Sequence, residues 1–326
     1  MATEIEDYKA GLSFKSIWEK ILRYGREGWE QIDANDIHAL KWYGVFLRKP
    51  TPGYFMIRVR VPGGILEQGR FRAEQLRALA EVTRDYGRDL LDLTTRQQVQ
   101  LRWIRIEDVP EVQNRLERAG LTSLQTGHDN IRNVTTCPAA GLNPDEPLDS
   151  RALVMELHRS IVGNWNAANL PRKLNITVLG CRDNCTHAEI NDIALTPAQR
   201  GGVYGYNVWV GGALGSWGTQ RSLPLDLFVR PEQAVQLCHG IITVFNRYGN
   251  REKRNKARLK FVIDEMGLPA FRQKVLQELS FKPALAGTEL THPHSSKDHI
   301  GVHPQKQSGF CYAGLNVIAG RLKLDQ

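Results

Sequence analysis

The sequence predicts an α+β fold made of two modules in succession. Three observations point to it. Residues 54–119 alternate strand-period and helix-period hydrophobic patterns, a second alternation follows between about 151 and 248, and a stretch near the end repeats the first strand.

Residues 8–32 place Leu12, Ile17, Trp18, Ile21, Leu22 and Trp29 at spacings near three and four, which predicts an amino-terminal helical arm within 1–40. Phe55, Ile57, Val59 and Val61 alternate with Arg58 and Arg60, as in a strand with one buried face, and Pro62-Gly63-Gly64 ends it. Leu76, Leu79, Ala80 and Val82 then share a helical face across 71–87, and Val99, Leu101 and Trp103 alternate again. A helix from about Val109 to Ala119 stops at Gly120, a residue free to take the left-handed turn that closes a helix. Strand, helix, strand and helix in this span predict a small sandwich of ferredoxin-like type over 41–121.

A second α+β module over 122–280 is predicted from a helix near 151–162, strands near 174–180, 192–196 and 205–211, and a helix after Pro231. From 281 to 298, Pro283, Gly287, Pro293, Ser295 and Ser296 leave little periodicity and predict a linker. Beyond it, Gly53–Leu66 lies without gaps on Gly309–Leu322, with Gly53/Gly309, Val61/Val317, Gly64/Gly320 and Leu66/Leu322 identical. Residues 299–326 therefore predict the start of a second copy of the first module.

Lys and Arg number 43 against 35 Asp and Glu, a net charge of +8 that attracts anionic partners over long range. The densest basic run, Arg251 to Lys260, is followed by apolar Phe261, Val262 and Met266, which predicts a solvated helix face and not a nucleic-acid arm. No apolar run approaches the roughly 20 residues that span a bilayer, and Met1–Phe14 contains Glu4, Glu6 and Asp7 where a signal peptide is basic and apolar. No membrane partner and a cytoplasmic location are the expectation. Five cysteines, an odd number without an export signal, argue against a disulfide framework.

Basic residues recur inside segments that otherwise read as core: Arg58, Arg60, Arg96 and Arg102, then Arg132, Arg172 and Lys173. Each alone is explained by an exposed strand face or an ion pair. Together they fit a polyanionic ligand, because the guanidinium stays charged and offers a planar donor fork to carboxylates and small oxyanions. Cys181-Arg-Asp-Asn-Cys185 puts two soft ligands four apart directly after a predicted strand, with Cys137 as a candidate third. Zinc fits less well by spacing, since a C-x2-C knuckle and a matching second pair are absent, and small buried residues in tight turns are the simpler alternative. Cys238, beside Leu237 and Ile241 in a predicted helix, reads as core. No nucleophile elbow, Walker loop or H-E-x-x-H occurs, which leaves hydrolase and nucleoside-triphosphatase readings without support.

These segments resemble the ferredoxin-type nitrite and assimilatory sulfite reductases. Lys41-Trp-Tyr-Gly-Val-Phe46, Phe55 to Leu66, Thr94-Thr-Arg-Gln-Gln-Val-Gln-Leu-Arg102 and Asp129-Asn-Ile-Arg-Asn133 look like successive signatures of that family. Leu170-Pro-Arg-Lys-Leu-Asn175, His187-Ala-Glu-Ile-Asn-Asp192 and His299-Ile-Gly-Val-His-Pro-Gln-Lys306 continue them in order.

The resemblance implies two pseudo-symmetric halves packed around sirohaem bridged to a [4Fe–4S] cluster. On that reading the chain is a ferredoxin-like half-module followed by a nitrite/sulfite reductase sirohaem-type α/β module, truncated at the start of the second repeat. It implies Arg58, Arg132, Lys173 and Asn175 around the substrate anion, and Arg96, Gln100 and Arg172 near sirohaem carboxylates. Nitrite is the expected substrate, reduced to ammonia with six electrons from reduced ferredoxin, which the basic surface is expected to dock. Sulfite is the alternative, disfavoured because similar sulfite reductases carry a second lysine where this chain has Asn175. The family's cluster cysteines lie in the second half, so the expectation is a fragment or split chain, inactive alone, with a separate chain supplying that half. Cys181, Cys185 and Cys137 stand near pseudo-symmetric counterparts of those ligands, as a relic of duplication or a live cluster site. A non-enzymatic tetrapyrrole-binding or dimerising protein is the rival from another class.

Overall fold

A computed structural model of the chain describes residues 2–66, 70–215, 218–292 and 299–323. The arm is two helices, α1 (Ala2–Ala10) and α2 (Phe14–Glu27), because Ser13 caps the second: its Oγ accepts from Ser16 N at 3.1 Å while Ser16 Oγ accepts from Ser13 N at 2.9 Å. Ile17, Ile21 and Tyr24 are the buried stripe of α2; the two isoleucines are among the positions whose spacing predicts the helix, and Tyr24 is not. A single turn, α3 (Asp36–Ala39), follows. The arm is tied to the second module, with buried Lys9 donating from Nζ to Leu170 O at 2.9 Å.

The first module contains β1 (Val45–Leu47), β2 (Phe55–Val59), α4 (Arg70–Tyr86), β3 (Leu90–Leu93), β4 (Val99–Ile104) and α5 (Val109–Arg118). Its antiparallel sheet runs β1-β2-β4-β3, and Phe55, Ile57, Val59, Val99 and Leu101 form a core with Leu79, Val82, Val112 and Leu116. Gly120 takes φ +71°, the left-handed stop expected after α5. Strands β1 and β3 are too short to show a period, and the sequence reading omits them.

The second module contains α6 (Arg151–Ile161), α7 (Trp165–Ala168), β5 (Ile176–Val178), β6 (Ile193–Arg200), β7 (Val203–Val210), β8 (Ala213–Gly215), β9 (Gly218–Gln220), β10 (Leu223–Val229), α8 (Pro231–Tyr248), α9 (Leu259–Met266), α10 (Leu268–Gln277) and β11 (Thr288–Glu289). Its sheet runs β10-β7-β6-β11, and β5 lies parallel to β6 on the edge that β11 also uses. Gly201 and Gly202, both at positive φ, turn β6 into β7, the conformation that a two-residue hairpin requires. Cys238 is fully buried in α8, as expected.

Two expectations are corrected. The stretch predicted as a linker is docked where it is described: Leu290 N donates to Pro197 O at 2.9 Å and His292 N to Arg182 O at 2.8 Å. An unpaired sheet edge supplies the partners that composition does not reveal; Pro293, Ser295 and Ser296 lie outside the described residues. The basic run 251–260 is not a solvated helix face. Arg251, Arg254 and Arg258 point inward onto Glu6, Asp129 and Asp192, acids far off in sequence.

The chain then forms a hairpin, β12 (Gly301–Pro304) with β13 (Cys311–Gly314), and ends its described part with β14 (Arg321–Lys323), which pairs with β3 and extends the first sheet. The short sequence repeat is also a repeat of backbone. Gly53 and Gly309 sit at φ +82° and +80°, Gly64 and Gly320 at +68° and +69°, and 3-10 turns occupy Pro62–Gly64 and Ile318–Gly320. Ala319 adopts φ +52° where the first copy has Gly63 at +63°, a conformation that an L side chain takes only under constraint.

Candidate active site

Between the modules lies a cleft of about 840 Å³, within the size range of small-molecule and cofactor sites. Arg58, Arg96, Gln100, Arg132, Lys173 and Asn175, brought from β2, the β3–β4 turn, β4 and two loops of the second module, all line it. An apolar cavity of about 550 Å³ beside α4 has Lys323 as its one charged lining residue among the described residues.

The cations are positioned by backbone carbonyls and amides. Asn133 Nδ2 donates to Val61 O at 2.7 Å, Arg96 O at 3.1 Å and Gln97 O at 3.2 Å, which pins the turn carrying Arg96 against the end of the first strand segment. Arg96 Nη2 reaches Asn191 Oδ1 at 3.1 Å. Parallel bridges Ile131 to Leu174 and Thr135 to Thr177 lay the loop after His128 beside β5, so that Arg132 and Lys173 meet at one wall. Arg132 donates from Nη1 to Thr126 O and from Nη2 to His128 O, both at 2.8 Å. Arg58 packs its guanidinium on the Phe46 ring, 4.7 Å from its centroid.

Two cationic donors remain unsatisfied. Arg96 Nη1 and Arg132 Nε are buried without a hydrogen-bond partner among the described residues. Such groups are costly to leave unmade, and both belong to side chains that line the cleft. Burial, with Arg258, Arg132 and Arg172 nearby, lowers Lys173 to about 8, which lets its ammonium give up a proton near neutral pH.

Other expected residues sit differently. Arg172 is not among the lining and donates from Nη1 to Asp129 Oδ1 at 3.3 Å. Arg60 is fully buried, its guanidinium hydrogen-bonded to Leu124 O, Gln125 O and Ile131 O, so it tethers chain. Arg102 pairs with Asp92. Asp192 was not singled out, yet it accepts two bonds from Arg258 Nη2, at 2.9 and 2.7 Å, and one from Asn175 N at 2.8 Å, which fixes the backbone of a predicted site residue. His187 also lines the cleft.

Cys137, Cys181 and Cys185 come together at one end of the cleft, where Cys185 is part of the lining. Cys181 Sγ and Cys185 Sγ are 3.7 Å apart, and hydrogen bonds from the Cys137 and Cys185 thiols favour the thiolate at Cys181 and lower it from the usual thiol range. His299, from the segment preceding β12, closes the group with Nε2 at 3.4 Å from Cys137 Sγ. No spacing signals this histidine, because it lies far along the chain from all three cysteines.

The α+β fold thus brings arginine, lysine and amide side chains of its two modules to one cleft. Residues 127–283 match the family described as "Nitrite and sulphite reductase 4Fe-4S domain", and residues 47–119 match "Nitrite/Sulfite reductase ferredoxin-like half domain". The chain belongs to the nitrite and sulfite reductase family. It is 44% identical over 325 residues to the ferredoxin–nitrite reductase of Leptolyngbya laminosa, covering 98% of this chain and 62% of that protein. The assimilatory ferredoxin-dependent nitrite reductase of Haloferax mediterranei is 36% identical, with 99% and 59% covered. The solved structure of Mycobacterium tuberculosis NirA superposes with a TM-score of 0.85 at 32% identity, covering 95% of this chain and 58% of that one. The chain thus spans about three-fifths of the length of these relatives.

Proposed function

We propose that the cleft holds sirohaem by its carboxylates and takes nitrite as the reacting anion, and that the protein works in ferredoxin-dependent reduction of nitrite to ammonia. The observation that carries this reading is the convergence of Arg58, Arg96, Arg132 and Lys173 on one cleft, with Arg96 Nη1 and Arg132 Nε unpartnered. Sirohaem supplies the electron path to the bound anion. Arg96 and Gln100 are assigned to its carboxylates, and Arg172 to a supporting place through Asp129. Arg58, Arg132, Lys173 and Asn175 are assigned to the anion, where fixed cations stabilise charge without reorganising.

Nitrite takes up six electrons and eight protons on its way to ammonium, so the cleft must deliver protons as well as bind charge. Lys173, lowered to about 8, is the group assigned to hold and pass a proton at Nζ. The relatives' names support reduced ferredoxin as donor and nitrite as substrate. Their remaining length, on this or a separate chain, is assigned the other wall of the cleft and the family's [4Fe–4S] ligands. Among the described residues no helix is long and apolar enough to cross a membrane.

The test is titration of the purified chain with sirohaem, followed by absorbance. Saturable binding that Arg96→Gln and Arg132→Gln weaken supports the reading, and nitrite-dependent spectral change on the loaded protein ties the anion to the same cleft. Binding indifferent to both substitutions would overturn it. A non-enzymatic tetrapyrrole binder would take up sirohaem yet show no response to nitrite.

A further inference from the structure

The four-iron cluster and the thiol group at the cleft do not fit each other as the side chains stand. In a cubane each thiolate binds a different iron, so its sulfurs are held well apart. Cys181 Sγ and Cys185 Sγ are in van der Waals contact at 3.7 Å, and Cys137 Sγ, Cys185 Sγ and His299 Nε2 all lie within 4.8 Å of one another.

We propose that Cys137, Cys185 and His299, whose ligand atoms already lie within 4.8 Å of one another, hold a single zinc ion, and that Cys181, 3.7 Å from Cys185 but outside that group, turns its thiolate in to complete a tetrahedral site. With Zn–S near 2.3 Å and Zn–N near 2.0–2.1 Å, tetrahedral geometry places two thiolates about 3.8 Å apart and a thiolate and an imidazole nitrogen about 3.6 Å apart. The 3.7 Å separation of Cys181 from Cys185 and the 3.4 Å separation of Cys137 from His299 match those edges. Three soft sulfurs and one imidazole are also a closed ligand set of the structural kind, with no position left for a substrate.

The surroundings orient the ligands. His299 Nδ1 is 3.2 Å from Tyr312 Oη, so a Nδ1–H donated to the phenol leaves the Nε2 lone pair facing the sulfurs. Cys137, Cys181 and His299 are buried and Cys185 is partly so, within a small apolar cluster that includes Ala139, Leu179, Ala188 and Tyr312. Zinc uptake exchanges thiol protons for the metal and changes no oxidation state.

The site has a mechanical role. The β12–β13 hairpin is poorly buried, with Val302 74% and Phe310 66% exposed, and polar contacts hold it to the second module: Lys306 N to Leu142 O at 2.8 Å and Gln307 Nε2 to Gly141 O at 3.0 Å. A metal shared by His299 and the three cysteines fastens the chain at the root of that hairpin. Because Cys185 lines the cleft, the same ion fixes part of its wall.

The inference does not rest on the reductase reading, and its test uses no activity. The full chain, expressed with zinc and purified anaerobically, is desalted and its metal measured, and cobalt(II) is then exchanged in. One zinc per chain is expected, with the intense visible bands and thiolate charge transfer of tetrahedral cobalt. Cys185→Ser and His299→Ala should lose the stoichiometric metal while Cys311→Ser keeps it. Tyr312→Phe should keep the site but bind about tenfold more weakly, through its hydrogen bond to the ligand. If the cysteine variants fail to fold, the cobalt spectrum of the parent and the Tyr312→Phe affinity decide. A parent with five free thiols and no zinc, iron with acid-labile sulfide on these cysteines, or a Cys181–Cys185 disulfide formed without air would each overturn the proposal.

Discussion

Asp129 is fully buried and takes the guanidinium of Arg254 in a two-point contact, Nη1 to Oδ2 at 2.7 Å and Nη2 to Oδ1 at 3.0 Å. Lys9 Nζ lies 3.5 Å and Arg172 Nη1 3.3 Å from the same carboxylate. One buried anion therefore joins the amino-terminal arm, the loop carrying Arg172 and Lys173, and the basic run after α8. Through Arg172 this carboxylate anchors the loop that carries Lys173 into the cleft wall.

Removing one partner of such a pair leaves charge buried and less compensated. Arg254→Ala is expected to destabilise the chain by about 3 kcal/mol, at the low end for buried pairs because Lys9 and Arg172 remain. Urea unfolding measures it. Burial raises the Asp129 carboxyl, but His128, Arg254 and Lys9 outweigh it and bring it down to about 2. A carboxylate depressed in the folded state contributes stability that is full above its unfolded value near 4 and is lost as pH falls towards about 2. In Asp129→Asn this acid limb of the stability profile should flatten; an unchanged slope between pH 4 and 2 would count against the assignment.

Arg60 and Arg96 allow a separation of folding from binding. Arg60→Ala leaves buried carbonyls of Leu124, Gln125 and Ile131 without their donor, and a loss of about 3 kcal/mol of stability is expected. Arg96→Gln keeps the turn, which Asn133 holds through backbone oxygens, and should cost little stability. Its effect should fall on sirohaem affinity, about 10- to 100-fold for one charge-assisted hydrogen bond. Parallel thermal melts and absorbance titrations of the two variants distinguish the roles.

The longer elements were legible because their periods are long enough to read: α4, α5, α6 and α8 and strands β2, β4, β6 and β7 fall where hydrophobic spacing puts them. Strands β1 and β3, of three and four residues, carry no period of their own, whereas β5 falls within the predicted 174–180, and β10 breaks alternation at the Asp226 bulge. In the site, Arg58, Arg96, Gln100, Arg132, Lys173 and Asn175 were accessible through the family resemblance, and the cleft gathers them. Partners distant in sequence were not accessible: Asp129 with Arg254, Asp192 with Arg258, and Cys137 with His299 meet only through the packing of one loop on another. Arg60 shows the converse limit, since a buried tether and a ligand-binding arginine look alike in a strand.

Lys173 sets a pH expectation. With its ammonium lowered to about 8 by burial and by Arg258, Arg132 and Arg172, the cleft loses a positive charge as pH rises through that value. Nitrite affinity of the sirohaem-loaded protein should be high below about pH 8 and fall above it, towards tenfold per unit once the lysine is mostly neutral. Lys173→Met should bind weakly at all pH values and remove the inflection. A nitrite titration across pH 6.5 to 9.5 on both proteins reads it, and an inflection that survives in Lys173→Met would assign the titrating group elsewhere.

Asn175 bears on which anion the cleft prefers. Its backbone amide is fixed by Asp192 Oδ2 at 2.8 Å, itself clamped by Arg258, so a change of side chain leaves the strand entry in place and alters the charge at the lining. Nitrite is a monoanion, whereas sulfite carries nearly two charges at slightly alkaline pH. One more ammonium at this position favours the second over the first, since the Coulomb gain scales with the ligand's charge. Asn175→Lys is therefore expected to raise the affinity of the sirohaem-loaded protein for sulfite relative to nitrite by about tenfold, the modest scale that one pocket contact supplies. The comparison needs both substrates on the same loaded preparation, at a pH below 8 so that Lys173 stays charged in parent and variant. A ratio that does not move, or moves towards nitrite, would show that substrate choice is set outside the charge of this wall.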